Sequence, residues 1–288
     1  MTSLPWTIER TDRQAHRITY QLPSVSGVSR LLILSDLHWD SAWCRRDILK
    51  RDLDQALETN TPVLIAGDLY DAMQGKWDPR KSQDQLRPEH RGGNYFDLLI
   101  NTSVEWFAPY ASVLALIGQG NHETSILQRH ETNLLERLVA LLRAQHKSPV
   151  ELGGYWGYCL LQLKNISGNS ATKTIHYHHG YGGGGEITRG LIDHSRTRSQ
   201  YDADIYISGH IHRRNSDENI MTRVTDRGVV YTVQQLFLRC GAYKEETEGW
   251  HIEKGRAGRP VGGWWVELDG YKPKKGAFDI RTMRSKAT

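Results

Sequence analysis

Five short polar motifs in this chain contain residue types that bind divalent metals. They are Asp36-x-His38, Gly67-Asp68, Gly120-Asn121-His122-Glu123, His179-Gly180 and Gly209-His210-x-His212. Imidazole, carboxylate and amide groups are borderline to hard ligands, which suit manganese, iron, zinc or nickel without selecting strongly among them. The motifs contain no cysteine, which argues against a structural zinc site of the thiolate type. The residue types therefore indicate a metal centre built from nitrogen and oxygen ligands.

Each motif follows a short apolar segment that is typical of a buried strand. These segments span residues 31–34, 62–66, 112–117, 172–177 and 204–208, and their length and composition favour strands over helices. Helical patterns lie between them at 45–58, 95–107 and 124–143. Alternating strands and helices predict a largely parallel sheet, in which ligands bind beyond the carboxyl ends of the strands. We therefore expect all five motifs to converge in space.

The composition is that of an ordinary globular protein. The chain has 288 residues, of which 38% are hydrophobic and 24% charged, which excludes disordered, collagen-like and coiled-coil classes. Three cysteines without a CxxC pair predict no disulfide framework and favour a reducing compartment. Because no apolar run approaches 18 residues and the first residues lack a signal-peptide core, we expect a cytoplasmic protein without a membrane span.

The region after the last motif changes in character. Residues 221–240 and 259–269, like residues 16–22 near the start, predict strands that extend the first sheet or form a second one. The sequence contains no Pro/Ser-rich linker, so we predict that residues 1–288 form a single domain. Residues 270–288 form a basic segment with few apolar residues, which we expect to be a loosely held tail.

The ordered motifs resemble those of the calcineurin-like metallophosphoesterase family, which are DxH, GD, GNH(D/E), H and GHxH, over roughly residues 31–212. The resemblance implies an α/β fold, a four-layer α/β/β/α sandwich of two mostly mixed sheets with the motif loops on one edge. It implies two divalent metal ions, with manganese expected first and iron, zinc or nickel as alternatives. The glycine run after His179 is similar to that of family members carried by bacteriophages and prophages.

The resemblance also implies the role of each motif residue. It assigns Asp36, His38, Asp68 and His212 to one metal, and Asp68, Asn121, His179 and His210 to the other, so that Asp68 bridges the two ions. It implies in-line attack on phosphorus by a hydroxide that bridges the metals. His122 is then the catalytic residue, which protonates or hydrogen-bonds the leaving oxygen.

Two residues beside the motifs are candidates for supporting the ligands. Glu123 follows His122 directly, and we expect it to orient either a ligand or His122 itself. His178 precedes His179, and neighbouring residues of an extended strand point to opposite faces. The family histidine precedes a glycine, which selects His179 as the ligand and leaves His178 as a packed or supporting residue.

Three basic residues are candidates for binding substrate. Arg189 follows the glycine run and would clamp a phosphate group. Lys76 and Arg80 lie in a polar connection at residues 74–93, which is long enough to be either functional or disordered. A connection that starts beside the proposed bridging ligand would place positive charge next to the metals.

These observations favour a metal-dependent phosphodiesterase, of which a nuclease is one kind, acting on nucleic acid or nucleotides. The isoelectric point near 8.9, the basic connection and the basic tail support an anionic partner of this kind. The alternative is a phosphomonoesterase or pyrophosphatase that acts on a small phosphorylated substrate. Ala72 and Met73 stand where Ser/Thr protein phosphatases have Arg-Gly, which counts against that subfamily. A non-catalytic metal-binding scaffold is disfavoured because every motif position is filled. We expect a phosphate ester as the partner, and no membrane.

Overall fold

The structure is a computed structural model that describes residues 4–72, 86–183, 185, 188, 190–247, 253, 255, 258–274 and 277–287. The strands in these residues are β1 (Trp6–Asp12), β2 (Ala15–Gln21), β3 (Gly27–Leu34), β4 (Val63–Ala66), β5 (Leu114–Gly118), β6 (Glu151–Leu152), β7 (Trp156–Lys164), β8 (Ser170–His178), β9 (Ile205–Ser208), β10 (Asn215–Val224), β11 (Val230–Arg239), β12 (Trp264–Tyr271) and β13 (Asp279–Lys286). The α-helices are α1 (Arg46–Glu58), α2 (Tyr95–Phe107), α3 (Asn121–His130), α4 (Leu134–His146) and α5 (Leu191–Gln200).

The strands form two mixed sheets. One sheet has the order β1-β2-β7-β8-β9-β11-β10, and the other has the order β13-β12-β3-β4-β5-β6. In the six-stranded sheet β3, β4 and β5 are parallel neighbours, whereas β12 runs antiparallel to β3. In the seven-stranded sheet β8 and β9 are parallel neighbours. The predicted α/β class with two mixed sheets is therefore confirmed.

The alternation of side chains along β3 shows how the layers pack. Leu31 and Ile33 belong to the apolar core between the two sheets, together with residues of β2, β7, β8 and β9. Leu32 and Leu34 point the other way and pack with α1, α2 and α4 on the outer face of the six-stranded sheet. On the outer face of the seven-stranded sheet, His194 of α5 stacks on Phe237. Because successive residues of a strand face opposite sides, a strand that is apolar throughout is buried between two layers.

The division of the motifs between the two sheets differs from the expectation. The first three motifs follow β3, β4 and β5 of the six-stranded sheet, whereas His179 and the GHxH motif follow β8 and β9 of the other sheet. The second sheet therefore contains strands from before His212 and does not depend on the later ones alone. Periodicity reveals that a strand is buried, but it cannot say which buried neighbour it pairs with.

The helical pattern at 124–143 forms two helices, so the prediction of one helical segment is wrong there. Helix α3 ends where Glu131 adopts the left-handed conformation with φ of 54°. Helix α4 then begins after Asn133, whose side chain accepts a hydrogen bond from the backbone N–H of Glu136. An asparagine at this position caps the first turn of a helix and favours a new start.

The expectation of a loosely held tail at residues 270–288 is also wrong. Residues Asp279–Lys286 form β13, which pairs antiparallel with β12 over its full length. Ile280 is 3% exposed and belongs to the core between the sheets. A single buried apolar residue in a basic segment is a weak sequence signal for a strand. The hydrogen bonds to β12, which the sequence pattern does not reveal, hold this strand in the sheet. That residues 1–288 form a single domain stays a prediction.

Among the residues that the structure describes, no helix combines the length and the apolar character needed to cross a membrane.

The buried position of Ile280 predicts that β13 contributes to stability. Ile280→Ala should lower the free energy of unfolding by about 2–5 kcal/mol, because it removes buried apolar volume and leaves a cavity. Met283→Ala on the same strand is the matched control, since Met283 is half exposed and surface changes alter stability by at most about 0.5 kcal/mol. Urea unfolding of both variants measures the difference, and equal effects would show that β13 is not packed as described.

Candidate metal centre

The loops that follow five strand ends meet at one edge of the two sheets. Backbone hydrogen bonds join them: the Asp36 N–H donates to the carbonyl of Gly67, and the Gly209 N–H donates to the carbonyl of His179. The backbone N–H of His210 donates to both carboxylate oxygens of Asp36, at 3.0 Å each. Motifs from different sheets are therefore held to each other directly, and the predicted convergence of the five motifs is observed.

Three of the predicted residues form a first group of ligand atoms. The Nε2 atoms of His38 and His212 lie 3.1 Å apart, and Nε2 of His212 lies 3.4 Å from a carboxylate oxygen of Asp36. All three residues offer ligand atoms within 4.8 Å of one another. Asp36 and His38 are almost fully buried. We call this group position 1.

A second group lies on the other side of Asp68. Nε2 of His179 lies 3.1 Å from a carboxylate oxygen of Asp68 and 3.0 Å from the amide oxygen of Asn121. His210 places Nδ1 2.7 Å from the same amide oxygen. Asp68, His179 and His210 offer ligand atoms within 4.8 Å of one another. We call this group position 2, and all seven predicted ligands thus lie in one cluster with Asp68 at its centre.

The partners of the two rings favour a positive charge at position 1. Nδ1 of His38 lies 2.9 Å from a carboxylate oxygen of Asp71, and Nδ1 of His212 contacts the carboxylate of Glu246. An ionised carboxylate only accepts hydrogen bonds, so Nδ1 of His212 carries a proton, and the contact with Asp71 favours a proton on Nδ1 of His38. Burial would lower the pKa of His212, but its hydrogen bonds to Asp36 and Glu246 raise it to about 10, so that without a metal its Nε2 holds a proton beside Nε2 of His38. This arrangement fits a positive charge between them, and the donor types suit a divalent metal.

The contacts at position 2 also favour a positive charge. Nδ1 of His179 donates to the backbone carbonyl of Ala66 at 3.0 Å, so its Nε2 presents a lone pair to Asp68 and Asn121. Burial alone would lower the pKa of His179, but the Asp68 carboxylate outweighs it and raises the pKa to about 9. In the absence of other cations, a proton is therefore favoured at the point where the resemblance places a metal.

The carboxylates of the cluster are held in their charged form. Burial would raise the pKa of Asp36, but the hydrogen bond from His212 and the charges of His179 and His212 lower it to about 2. Burial opposes ionisation of Asp68 as well, yet the neighbouring His179 and His122 hold its pKa well below the usual range. The cluster therefore concentrates negative charge in a buried setting, which favours cation binding.

The backbone at the ligands is conformationally unusual. Five of the seven predicted ligands have positive φ angles, namely Asp36 (53°), His38 (44°), Asp68 (48°), His210 (69°) and His212 (55°). Non-glycine residues rarely adopt this region, and each such residue costs about 1–3 kcal/mol. Such strain persists only where the surrounding structure enforces the conformation. Here it accompanies the direction of ligand side chains from separate loops into one cluster.

His122 lies at the entrance of the cluster. Its Nδ1 contacts the backbone carbonyl of Asp71, and its Nε2 lies 3.7 Å from a carboxylate oxygen of Asp68. Because a carbonyl only accepts, Nδ1 carries a proton and Nε2 is the atom directed toward the cluster. His122 lines an open cleft of about 240 Å³ together with His38, His210 and His212.

Glu123 supports the loops and not the His122 ring. It is 2% exposed and accepts hydrogen bonds from the backbone N–H groups of Asp68 (3.2 Å), Tyr70 (2.9 Å) and Gly120 (2.9 Å). Burial and the charge of Asp68 raise the pKa of Glu123 to about 7. Of its two predicted roles, the geometry therefore favours the one in which Glu123 orients a ligand.

Several residues that contact the cluster belong to none of the five sequence motifs. Asp40 accepts hydrogen bonds from the backbone N–H groups of Asp71 and Ala72 and from the hydroxyl of Tyr95. Glu246 contacts His212, and Lys244 and Arg259 line the same cleft. These residues belong to no motif, and the last three follow the GHxH motif by more than 30 residues, so no local pattern marks them.

The remaining predicted residues are distributed as follows. His178 lies on the face of β8 opposite to His179, where its Nδ1 accepts a hydrogen bond from the backbone N–H of Gly180 at 2.9 Å. It lines a separate small cavity with Asp193 and Arg239. Lys76, Arg80 and Arg189 lie outside the described residues.

The chain was compared with known proteins in sequence and in fold. Similar solved structures include calcineurin-like phosphoesterase YfkN from Bacillus subtilis (11% identity, 91% of each chain, TM-score 0.45) and Vps29 from Chaetomium thermophilum (9% identity, 90% of this chain and 97% of that chain, TM-score 0.39). A metallophosphoesterase from Sphaerobacter thermophilus is 12% identical over 90% of this chain and 89% of that chain, with a TM-score of 0.33. No curated protein matches the chain in sequence. A family model described as calcineurin-like phosphoesterase matches residues 29–214, which is more than half of the chain. The chain therefore belongs to the calcineurin-like phosphoesterase family, and this membership implies metal-dependent hydrolysis of phosphoesters.

Proposed function

We propose that this protein is a two-metal phosphodiesterase that acts on nucleic acid or nucleotides. The observation that carries the proposal is the convergence of imidazole nitrogens with carboxylate and amide oxygens on both sides of Asp68, with Nε2 of His122 at the same cleft. We propose manganese as the resident ion at both positions. When bound, two divalent ions activate water as a nucleophile and offset the charge that develops on the phosphoryl oxygens.

The proposed ligand roles follow the two groups of the cluster. Asp36, His38 and His212 would hold an ion at position 1, Asn121, His179 and His210 would hold one at position 2, and Asp68 would serve both. Asp68 is suited to the bridging role because it is 1% exposed and its carboxylate already lies within reach of His179 and His122. Glu123 then keeps Asp68 in place through the backbone of its loop.

His122 is proposed as the general acid. Its Nδ1 donates to the Asp71 carbonyl, so the general acid is the doubly protonated ring, whose second proton lies on Nε2 at the cleft side. A proton at Nε2 can pass to the oxygen that leaves phosphorus, so that the departing alcohol is released neutral. General acid catalysis of this kind contributes about 10²–10⁴ in rate.

The charges that line the cleft favour a diester over a monoester. Two cations line it in the described part of the chain, and each already pairs with a carboxylate: Lys244 with Asp71 at 3.0 Å and Arg259 with Glu246 at 3.2 Å. A monoester carries up to two negative charges and gains from a dedicated cationic clamp, whereas a diester carries a single charge. Because each cation of the described lining pairs with a carboxylate, this part of the cleft suits the singly charged diester.

The glycine of the GNH motif illustrates how closely the loops approach. A Cβ atom at Gly120 would lie 2.0 Å from a carboxylate oxygen of Asp68 and 2.3 Å from its backbone nitrogen. No side chain can be accommodated there without moving Asp68. The position therefore requires glycine for close packing of two ligand loops.

Gly120→Ala should consequently displace Asp68 and lower the metal content of the purified protein at both positions. Gly93→Ala is the matched control, because a Cβ atom at Gly93 meets no atom within 4 Å. Inductively coupled plasma mass spectrometry after Mn²⁺ loading and desalting measures bound metal per chain. Full metal content in Gly120→Ala would argue against Asp68 as the central ligand.

Asp68→Asn and His122→Ala should separate metal binding from catalysis. Asp68→Asn should lose tight binding of both ions, because the bridge supplies charge to both. His122→Ala should keep both ions but lower turnover by about 10²–10⁴. Asp226→Asn and His146→Ala, at exposed positions, are the matched controls for each residue type. Loss of metal from His122→Ala would mean that His122 is a ligand and has been given the wrong role.

A substrate panel with Mn²⁺ tests the proposed class. We expect faster turnover of bis-p-nitrophenyl phosphate than of p-nitrophenyl phosphate, and hydrolysis of single- or double-stranded DNA that weakens with salt because counterions compete for the phosphates. His122→Ala serves as the control for contaminating activity. Preference for p-nitrophenyl phosphate with no action on DNA would replace the diesterase proposal with the monoesterase or pyrophosphatase alternative.

A further inference from the structure

The segment that follows β11 passes directly over position 1. It is anchored by a hydrogen bond from the backbone N–H of Tyr243 to the backbone carbonyl of Asp36, at 2.9 Å. Three residues later, Glu246 is 6% exposed and its carboxylate contacts Nδ1 of His212. The side of the His212 ring that faces away from the cluster is therefore held by a buried carboxylate.

Glu246 is held in turn by a buried cation. Arg259 places a guanidinium nitrogen 3.2 Å from the other carboxylate oxygen of Glu246, and it also donates to the backbone carbonyl of Ile211 at 2.7 Å. Ile211 lies between the two histidines of the GHxH motif. Arg259 therefore ties Glu246 to the loop that carries His212, and the three residues form a chain from cation to carboxylate to imidazole.

The other histidine of position 1 has an equivalent chain. Nδ1 of His38 lies 2.9 Å from one carboxylate oxygen of Asp71, and the ammonium of Lys244 lies 3.0 Å from the other. Lys244 and Glu246 are two residues apart in the same segment, so one short stretch supports both histidines of position 1. The side chain of Asp71 is 7% exposed, so its contacts with His38 and Lys244 are largely shielded from water.

Position 2 is supported differently. Nδ1 of His179 donates to the neutral backbone carbonyl of Ala66, and the oxygen ligand unique to this position is the amide of Asn121. Position 1 has the carboxylate of Asp36 in the corresponding place. An imidazole that donates to a carboxylate is a more basic ligand than one that donates to a carbonyl, and such partners change metal affinity by about 10–100-fold. Both differences favour position 1.

We propose that Glu246 and Arg259, together with Lys244 acting through Asp71, are positioning residues that make position 1 the tighter of the two metal positions. Ions are then taken up in order, position 1 first and position 2 second. This inference rests on the metal positions of the proposed function, but it does not depend on which phosphoester is hydrolysed.

The test is a Mn²⁺ titration of the metal-stripped full chain by isothermal calorimetry. The unmodified protein should show a tight and a weaker binding event. Asn121→Ala, which removes a ligand of position 2, should remove the weaker event and thereby assign the tight one to position 1. Glu246→Gln keeps the shape of the side chain but removes its charge, and it should weaken the tight event by about 10–100-fold while leaving the weaker event unchanged.

The neighbouring residue offers a matched control. Glu245 carries the same side chain but is only partly buried and pairs with Arg45, so Glu245→Gln should leave both events unchanged. Glu246→Gln removes the carboxylate that pairs with the Arg259 guanidinium and can destabilise the fold for that reason. The double variant Glu246→Gln/Arg259→Gln removes both charges, and it should still show the weakened tight event if the carboxylate tunes His212.

The possible outcomes separate this inference from the proposed function. Equal titrations for Glu246→Gln and Glu245→Gln, or weakening of the position 2 event alone, would overturn the inference while leaving a two-metal enzyme intact. An unmodified chain that takes up no Mn²⁺ would overturn both. Selective weakening of the position 1 event in Glu246→Gln and in the double variant would establish Glu246 as the residue that tunes this ligand.

Discussion

The ends of five strands bring buried carboxylate, amide and imidazole groups together around Asp68, and a cation bound among them offsets their repulsion. Two carboxylates, an amide oxygen and imidazole lone pairs meet within hydrogen-bonding distance of one another around Asp68. Left unpaired, such a group would cost several kcal/mol for each buried charge. The surrounding elements hold it together regardless: positive φ angles at five ligands, a glycine pressed against Asp68, and a buried Glu123 that binds three backbone N–H groups.

The cluster of acceptors is built from both sheets. Three motifs lie at the ends of parallel strands in one sheet and two lie at the ends of parallel strands in the other, and the cluster sits where these ends meet. The sheets share an apolar core, so their relative position is set by packing. The core thus provides the rigidity that prevents the acceptors from moving apart, which is how a folded protein maintains an unfavourable local arrangement.

Much of this centre could be predicted from the sequence, because metal ligation requires particular residue types at strand ends. The seven predicted ligands and the strands that precede them lie where local patterns placed them, whereas the roles of these residues and of His122 rest on the family resemblance and stay predictions. The partners of the ligands do not follow from local patterns, since Asp40, Lys244 and Glu246 become neighbours of the cluster only through tertiary folding. The break at Glu131 and the pairing of β13 were missed for a related reason: each depends on a conformation or a neighbour that periodicity does not encode.

An anomalous-difference map from a crystal of the protein grown with Mn²⁺ tests directly whether two metals bind around Asp68. We expect two peaks about 3.5–4 Å apart, the spacing typical of two-metal hydrolases, with Asp68 in contact with both. The peak at position 1 should be flanked by Asp36, His38 and His212. A single peak, or peaks that do not contact Asp68, would contradict the account, because the converging acceptors would then have to be satisfied by protons rather than by metals.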